Sequence, residues 1–304
     1  MTTQETSRTI QIAVMNAVHD LPVLVARDEG YYRDEGLDVE IVTTPGTAQK
    51  DADHSAMRDV IFQRTMESLY NDGQVDQYRM CEWGVMKRTV EAIENGQRPA
   101  KIVALGAAMS TFAIVVAPDA DLYEPEELKD KPIAVSPFNG SHFTTLKMMD
   151  GFMRREHIQT VNAGTMRERL EALRSGEIVA ASFMEPWISV AQKQGFRILI
   201  ESHSSRSEAA SDDLDGLTLA AMFRAQSSAV DAINYDISPY LHYLIEEAEG
   251  LLEPGDLQSW RLLHTYPKPY TRQRFEDTYR WTEEWGMVTP GATYDVVVDN
   301  RAWQ

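Results

Sequence analysis

Four short segments carry side chains suited to a small-molecule site. FNGSH (residues 138–142) lies between an apolar run and a helical pattern. Ser141 there can cap the helix, Asn139 and Gly140 share its turn, and His142 adjoins the cap. The free N–H groups of such a first turn bind a carboxylate, sulfonate or phosphate; the plainer alternative is a cap that meets only water. Asn16 and His19 follow the run IQIAVM (10–15). An imidazole can donate to an anion or act as an acid or base near neutral pH, whereas a capping or surface role just before Pro22 asks less of it. Cys81, Glu82 and Trp83 end another strand-like segment. A thiolate at Cys81 becomes a nucleophile if His19 or His54 lowers its pKa, but a lone cysteine is commonly a small buried hydrophobe. Trp83 suits a pocket wall better than chemistry. In EPW (185–187), Glu185 and Trp187 flank a proline that fits a first helical turn. Glu185 can meet a cationic ligand group or an opposing surface, or simply favour the helix macrodipole.

No further constellation stands beside these. His157, His203, His242 and His264 are scattered without metal spacing, and HExxH, GxxxxGK[ST], GxSxG and GxGxxG are missing. Neither a metal nor a cofactor is expected. One cysteine in 304 residues excludes an intrachain disulfide and a four-cysteine zinc site. The 29 basic and 47 acidic residues give a formal charge of −18, which repels nucleic-acid phosphate and an anionic membrane surface. A small site within such a chain can still be locally positive. With 43% hydrophobic and 25% charged residues the composition is globular, and the length suits two lobes. The first residues, MTTQETSRTIQIAV, lack a basic start, an apolar stretch and a cleavage site. No apolar run is long enough to span a bilayer, so membrane insertion is not expected. The chain is cytoplasmic if Met1 is the native start, and periplasmic or extracellular if a signal was trimmed.

The elements that must position these residues alternate strand with helix. IQIAVM leads into a helix that ends near Gly30 and Gly36, then into the strand LDVEIV (37–42). A polar loop (44–56) containing His54 precedes a helix over 57–73. Then come a strand end at 77–83, a helix over 85–96, and strands at 100–107 and 112–118. A second set begins at the strand 133–136 and the helix after FNGSH. It continues with a helix over 166–177, a strand at 178–184, a helix after EPW and a strand at 196–202. The stretch 203–216 reads as polar, 217–223 as an apolar crossing, and the rest as mostly helical. Within that tail, RFEDTYRWTEEW (274–285) reads as a helix packing through Phe275, Trp281 and Trp285. Two α/β blocks in tandem place ligands beyond the carboxyl ends of strands or between lobes.

Together, ARDEGYYRDEGLDVEIV (26–42), NGQRPAKIVA (95–104), PEELKDKPIAVSPFNGSH (125–142) and SGEIVAASFMEPWISVAQKQG (175–195) resemble type II periplasmic solute-binding proteins. The branch is the one holding nitrate, sulfonate and taurine receptors and the pyrimidine-precursor synthases of thiamine biosynthesis. Similarity runs over about residues 10–202, with a looser tail. The resemblance implies an α/β, two-lobe fold with a helical C-terminal part. One lobe comprises 9–108 and 216–304, the other 109–215, with a hinge near 108–111 and 215–217 and a cleft between. It implies binding of a small organic, anionic ligand in the manner of an ABC-importer substrate-binding protein, with a permease partner if the chain is exported. The alternative is a cytosolic lyase or hydrolase on the same fold, using Cys81, His19 or His54. The family's cytosolic enzymes include aromatic-acid decarboxylases and an aryl-sulfinate desulfinase; YRMCEW (78–83) resembles the decarboxylases' strand-end segment, matched only at Glu82, while the pyrimidine synthases' clustered cysteines are absent. No catalytic constellation is visible, so binding stands first.

Overall fold

The computed structural model describes residues 8–43, 66–137, 139–287 and 290–304. The first unit opens with β1 (Ile10–Val14), whose apolar side chains are buried. Asn16, in extended backbone geometry, then caps α1 (Ala17–Asp28) by accepting from the His19 N–H. Pro22 lies inside this helix rather than ahead of it. The chain continues through α2 (Tyr31–Asp34), β2 (Val39–Thr43), α3 (Met66–Asn71), β3 (Gln77–Met80) and α4 (Glu82–Glu94). The polar loop with His54, and most of the helix expected over 57–73, lie outside the described residues. Cys81 is the N-cap residue of α4, so the strand ends at Met80 and Glu82 and Trp83 form the first helical turn.

The single strand β4 (Ala100–Val116) replaces the two strands expected at 100–107 and 112–118. Its register slips between Ile102 and Ala104, Leu105 and Met109, and Ile114 and Val115, so it bends without ending. Next come β5 (Pro132–Val135), α5 (Gly140–Met149), β6 (Gln159–Asn162), α6 (Met166–Ser175), β7 (Ala180–Met184) and α7 (Trp187–Lys193). A capping box between Thr165 and Glu168 starts α6, as its sequence pattern requires.

Two segments differ from the sequence reading. The polar stretch after residue 202, to which the sequence reading assigns no element, is the second half of β8 (Arg197–Ser211). The run 217–223 belongs to α8 (Gly216–Tyr235), which buries Leu219, Met222, Phe223, Gln226, Ala229 and Ile233 at helical spacing. An apolar run of seven cannot by itself distinguish a buried strand from a helix face. The chain finishes with α9 (Leu241–Glu247), α10 (Arg272–Glu284) and α11 (Tyr294–Val297). In α10 Phe275 is buried, and Trp281 and Trp285 at its end are half-buried.

The eight strands of the described residues join one sheet in the order β2-β1-β3-β8-β4-β7-β5-β6. The first half is parallel from β2 through β3, and the second from β7 through β6. The long antiparallel pair β4 and β8 runs through both halves. Helices cover both faces of each half, giving four large apolar cores among the described residues, with a small fifth formed by Cys81, Trp83 and Phe143. Among the described residues no helix is long and apolar enough to cross a membrane.

A buried ionic cluster ties α1 to the crossing strands. Arg79 of β3 pairs with Asp20 of α1, and its Nε donates to Glu208 Oε1 of β8 at 2.5 Å. Gln77 donates to the other Glu208 oxygen at 2.8 Å. Burial alone would disfavour these charges, but their mutual attraction holds Arg79 protonated. Gly106, at the bend of β4, makes room for this arrangement: a Cβ there would collide with the Glu208 carboxylate.

Candidate functional site

The segments that follow β1, β5 and β7 converge on a cleft of about 480 Å³. Met15 and Asn16 enter it from β1, Ser136, Asn139 and Ser141 from β5, and Met184 and Trp187 from β7. Phe112 and Arg206, on the crossing strands, close the back. Thr165 to Arg167 and Arg169 contribute from the start of α6, and Glu247 and Glu249 from the end of α9. The cleft is therefore amphipathic, with thioether and aromatic walls beside cationic and hydroxyl groups.

Arg206 dominates its electrostatics. The side chain is buried, and among the described residues it forms no ion pair and its Nε has no hydrogen-bond partner. Burial pulls its pKa down, and the opposing pull of Cys81 and Asp20 does not make up for the lost hydration of the guanidinium. The head group lies against the first residue of α5, so closely that a Cβ at Gly140 would collide with it. A helix N-terminus and a guanidinium thus point into the same space. Arg169, fully buried and lowered to about 10 by burial, lies beneath. It donates to the carbonyls of Gly164 at 3.1 Å and Ser182 at 2.8 Å, and also to the Ser136 hydroxyl, which holds the loop after β5 in place. The N-cap of α5 is Asn139, whose side chain accepts from the Gly140 N–H, and not Ser141 as expected; Ser141 lies within the first turn, where its Oγ accepts from the Ser136 N–H at 2.9 Å and fastens that loop to α5. On the far wall, buried Asn16 keeps its Nδ2 without a partner among the described residues.

The start of α1 is arranged differently. Asp20 accepts from the backbone N–H of Met15 at 2.8 Å and of Asn16 at 3.1 Å, and Glu247 accepts from that of Ala17 at 2.5 Å. Burial raises Glu247 to about 8, against the opposing effect of the Ala17 bond. At the cleft mouth Arg167 of α6 pairs with Glu249.

The residues singled out from sequence separate into three groups. Asn16, Asn139, Ser141 and Trp187 line the large cleft, with Gly140 at its edge against Arg206. Cys81, Glu82 and Trp83 line a smaller chamber of about 130 Å³, which shares Arg206 with the cleft. There Glu82 accepts from Tyr270 and from Arg274 Nε at 2.9 Å, and Trp83 stacks on Phe143 at 5.3 Å between ring centroids. His19, His142 and Glu185 line neither space. Glu185 is buried and accepts from the Ser189 N–H and hydroxyl at 3.1 and 3.0 Å. His142 meets Thr160 of β6 at 3.3 Å, and burial lowers it to about 4. His54 lies outside the described residues. Sequence reasoning missed Arg206, Arg169, Phe112, Met184 and Glu247. Reading 203–211 as a strand would have exposed Arg206 as a lone cation among serines.

Neither Cys81 nor His19 is set up as a reactive group. Burial pushes the Cys81 thiol up, away from the thiolate. His19 Nε2 lies 2.9 Å from Ser110 Oγ, but Nδ1 has no partner among the described residues to orient the ring. Desolvation, reinforced by Arg206 and Arg79, holds this imidazole neutral. Among the described residues no group of three or more His, Cys, Asp or Glu could hold a metal ion.

Residues 17–57 match the NMT1/THI5-like family. No curated protein matches the sequence significantly. Among solved structures, the chain is similar to the alkanesulfonate-binding protein SsuA from Xanthomonas axonopodis pv. citri bound to MOPS. The TM-score is 0.72 at 14% identity, covering 96% of this chain and 98% of that one. The periplasmic aliphatic sulphonate binding protein SsuA from Escherichia coli gives a TM-score of 0.69 at 14% identity, over 98% and 93% of the two chains. A ligand-binding component of an ABC-type import system from Staphylococcus aureus, with zinc bound, gives 0.69 at 14% identity, over 98% of each. With two half-sheets joined by β4 and β8, the chain has the two-lobe, type II periplasmic-binding-protein fold and resembles its branch of nitrate, sulfonate and taurine receptors and thiamine-pyrimidine synthases.

Proposed function

We propose that the chain binds a small organic anion in the large cleft, as the substrate-binding component of an ABC importer. The observation that carries this reading is Arg206, a buried guanidinium without a carboxylate partner among the described residues, set against the N-terminus of α5. An unpaired buried cation is costly, and an anion seated between it and the helix start offsets that cost. Met15, Phe112, Met184 and Trp187 supply apolar walls, which favour an organic body over a bare inorganic ion. The sulfonates named for the structural neighbours fit this combination of charge and carbon, so an organosulfonate is the leading ligand class and a compact carboxylate the next.

In this reading residues 9–108 with 216–304 and residues 109–215 act as lobes, with the end of β8 running into the first. They close over the ligand by bending β4 and β8, because the ligand binds the shut state more tightly. Asn16 reaches the anion from the first lobe; Asn139, Gly140 and Ser141 reach it from the second, and Trp187 contacts the organic body. A permease partner and a place on the outer side of the membrane belong to the same proposal.

The test is a thermal-shift and calorimetric panel of methanesulfonate, MOPS, matched carboxylates, and neutral and cationic analogues. A true ligand at a hundred times its dissociation constant should stabilise the fold by about 2.7 kcal/mol. Preference for sulfonates over neutral analogues is the expected result. A panel in which no organic anion raises the melting temperature would overturn the assignment.

A further inference from the structure

The smaller chamber is unlike the cleft in both size and lining. It opens where Trp83, at the start of α4, faces Thr144 and Lys147 of α5 across residues 202–206 of β8. Two donors buried in its wall have no partner among the described residues: the indole Nε1 of Trp83, 9% exposed, and Nε of Arg206, 6% exposed. Both groups can only donate. Buried donors of this kind are normally satisfied, so each calls for an acceptor from outside the chain. The charge balance points the same way. Lys147, Arg206 and Arg274 line the chamber against one carboxylate, Glu82, which is already held by Arg274 and Tyr270. Two positive charges are thereby left over, in a chain whose net charge is −18. Lys147 Nζ stands 5.9 Å from the centre of the Trp83 ring. The hydroxyls of Ser204 and Ser205 add groups that can donate or accept. At about 130 Å³ the space exceeds a single water's needs but is far smaller than the organic cleft.

We propose that this chamber is a second, separate site for a small tetrahedral oxoanion, phosphate or sulfate, held by Trp83, Lys147 and Arg206. Because Arg206 also borders the large cleft, an anion here fixes the guanidinium from behind and places a negative charge beside the organic ligand. The two sites therefore oppose each other through repulsion while sharing one cation. The contacts that would hold the oxoanion are the chamber's own, whichever ligand the large cleft takes.

The experiment titrates the full chain with phosphate, sulfate and chloride at constant ionic strength, following calorimetry and tryptophan fluorescence. Saturable binding of phosphate or sulfate, with chloride much weaker, is expected, and the stronger of the two oxoanions identifies the occupant. Lys147→Gln changes a solvent-facing side chain and should weaken oxoanion binding roughly tenfold, the loss of one charge-assisted contact. Trp83→Phe keeps the ring stack but removes the N–H, and should weaken it by a comparable factor while abolishing the fluorescence response. Neither variant should alter the affinity for an organic anion in the large cleft, which Lys147 and Trp83 do not line. Three results would each overturn the proposal: no saturable oxoanion binding, unchanged affinity in both variants, or equal loss of oxoanion binding in Asn139→Ala, which would merge the two spaces into one site.

Discussion

Two helix N-termini face the same cleft, and the protein treats them in opposite ways. At α1 the backbone N–H groups are occupied by the chain's own carboxylates, Asp20 and Glu247. At α5 no carboxylate of the described residues does so: the neutral side chain of Asn139 accepts from the Gly140 N–H, and the guanidinium of Arg206 lies against that first residue. Both starts carry the partial positive charge of a helix end, so dipole alone does not decide which one takes a ligand. The filled end is part of the scaffold, anchored through Asp20 to Arg79 and Glu208. The end capped only by a neutral amide, Asn139, keeps a cation beside it and is left for an anion. A helix start suits an anion only where the protein has not already placed a carboxylate there.

The largest expected effect comes from removing the cation at the open end. Arg206→Met should cost about 2–5 kcal/mol of organic-anion affinity, because a buried charge pair loses one partner; calorimetry reads this directly. The same variant should melt no lower than the wild type, since burial already opposes the charge of Arg206. Unchanged affinity would move the anion away from α5.

At the filled end the expected loss is in stability. Arg79→Met leaves Asp20 and Glu208 buried without their counter-ion, which should cost about 3–5 kcal/mol, read as a lower denaturation midpoint. If the midpoint stays put, the cluster is not what holds α1 against the crossing strands.

Next in size is a pH effect from Glu247. Its folded pKa, about 8, lies above the ordinary carboxyl value. The folded state therefore binds the proton more tightly than the unfolded chain. The associated stability is present in acid and declines as pH rises from the usual carboxyl range through about 8. Organic-anion affinity should fall over the upper part of the same interval, as a negative charge appears in the cleft. Glu247→Gln should flatten both profiles, and melting curves and titrations between pH 5 and 9 check it, that range being chosen to bracket the value of about 8.

The smallest effect belongs to the Arg167–Glu249 pair across the cleft mouth, where the side chains are 44% and 52% exposed. Glu249→Gln should change stability by about 1 kcal/mol or less, and salt should erase the difference. A larger change in ligand off-rate than in stability would make this pair a latch.

Parts of the cleft were readable before folding because their signals are local. Asn16 and Asn139 each cap the first turn of a helix that follows a strand, and capping chemistry depends on the few residues around it. That order of strands and helices, with one cysteine and no zinc or nucleotide motif, determined the α/β class and pointed to small-molecule binding. Within the same turn, however, Ser141 faces the cleft while His142 contacts β6. Successive helical residues point about 100° apart, so adjacency in sequence does not ensure a shared site. Glu185 follows β7 just as Ser136 follows β5, yet Ser189 and Arg261 enclose it.

What tertiary structure alone decided is centred on β8. The stretch from His203 to Ser211 is rich in serine and charge, and nothing local marks it as the middle of a sheet. It is a strand because β3 and β4 supply partners on either side, and because Glu208 finds Arg79 from a distant part of the chain. Arg206 has its role only through that placement, which brings it against Gly140 and between two cavities. The alternation of strands and helices is written in neighbouring residues. A buried charge takes its meaning from residues that meet it only after the chain has folded.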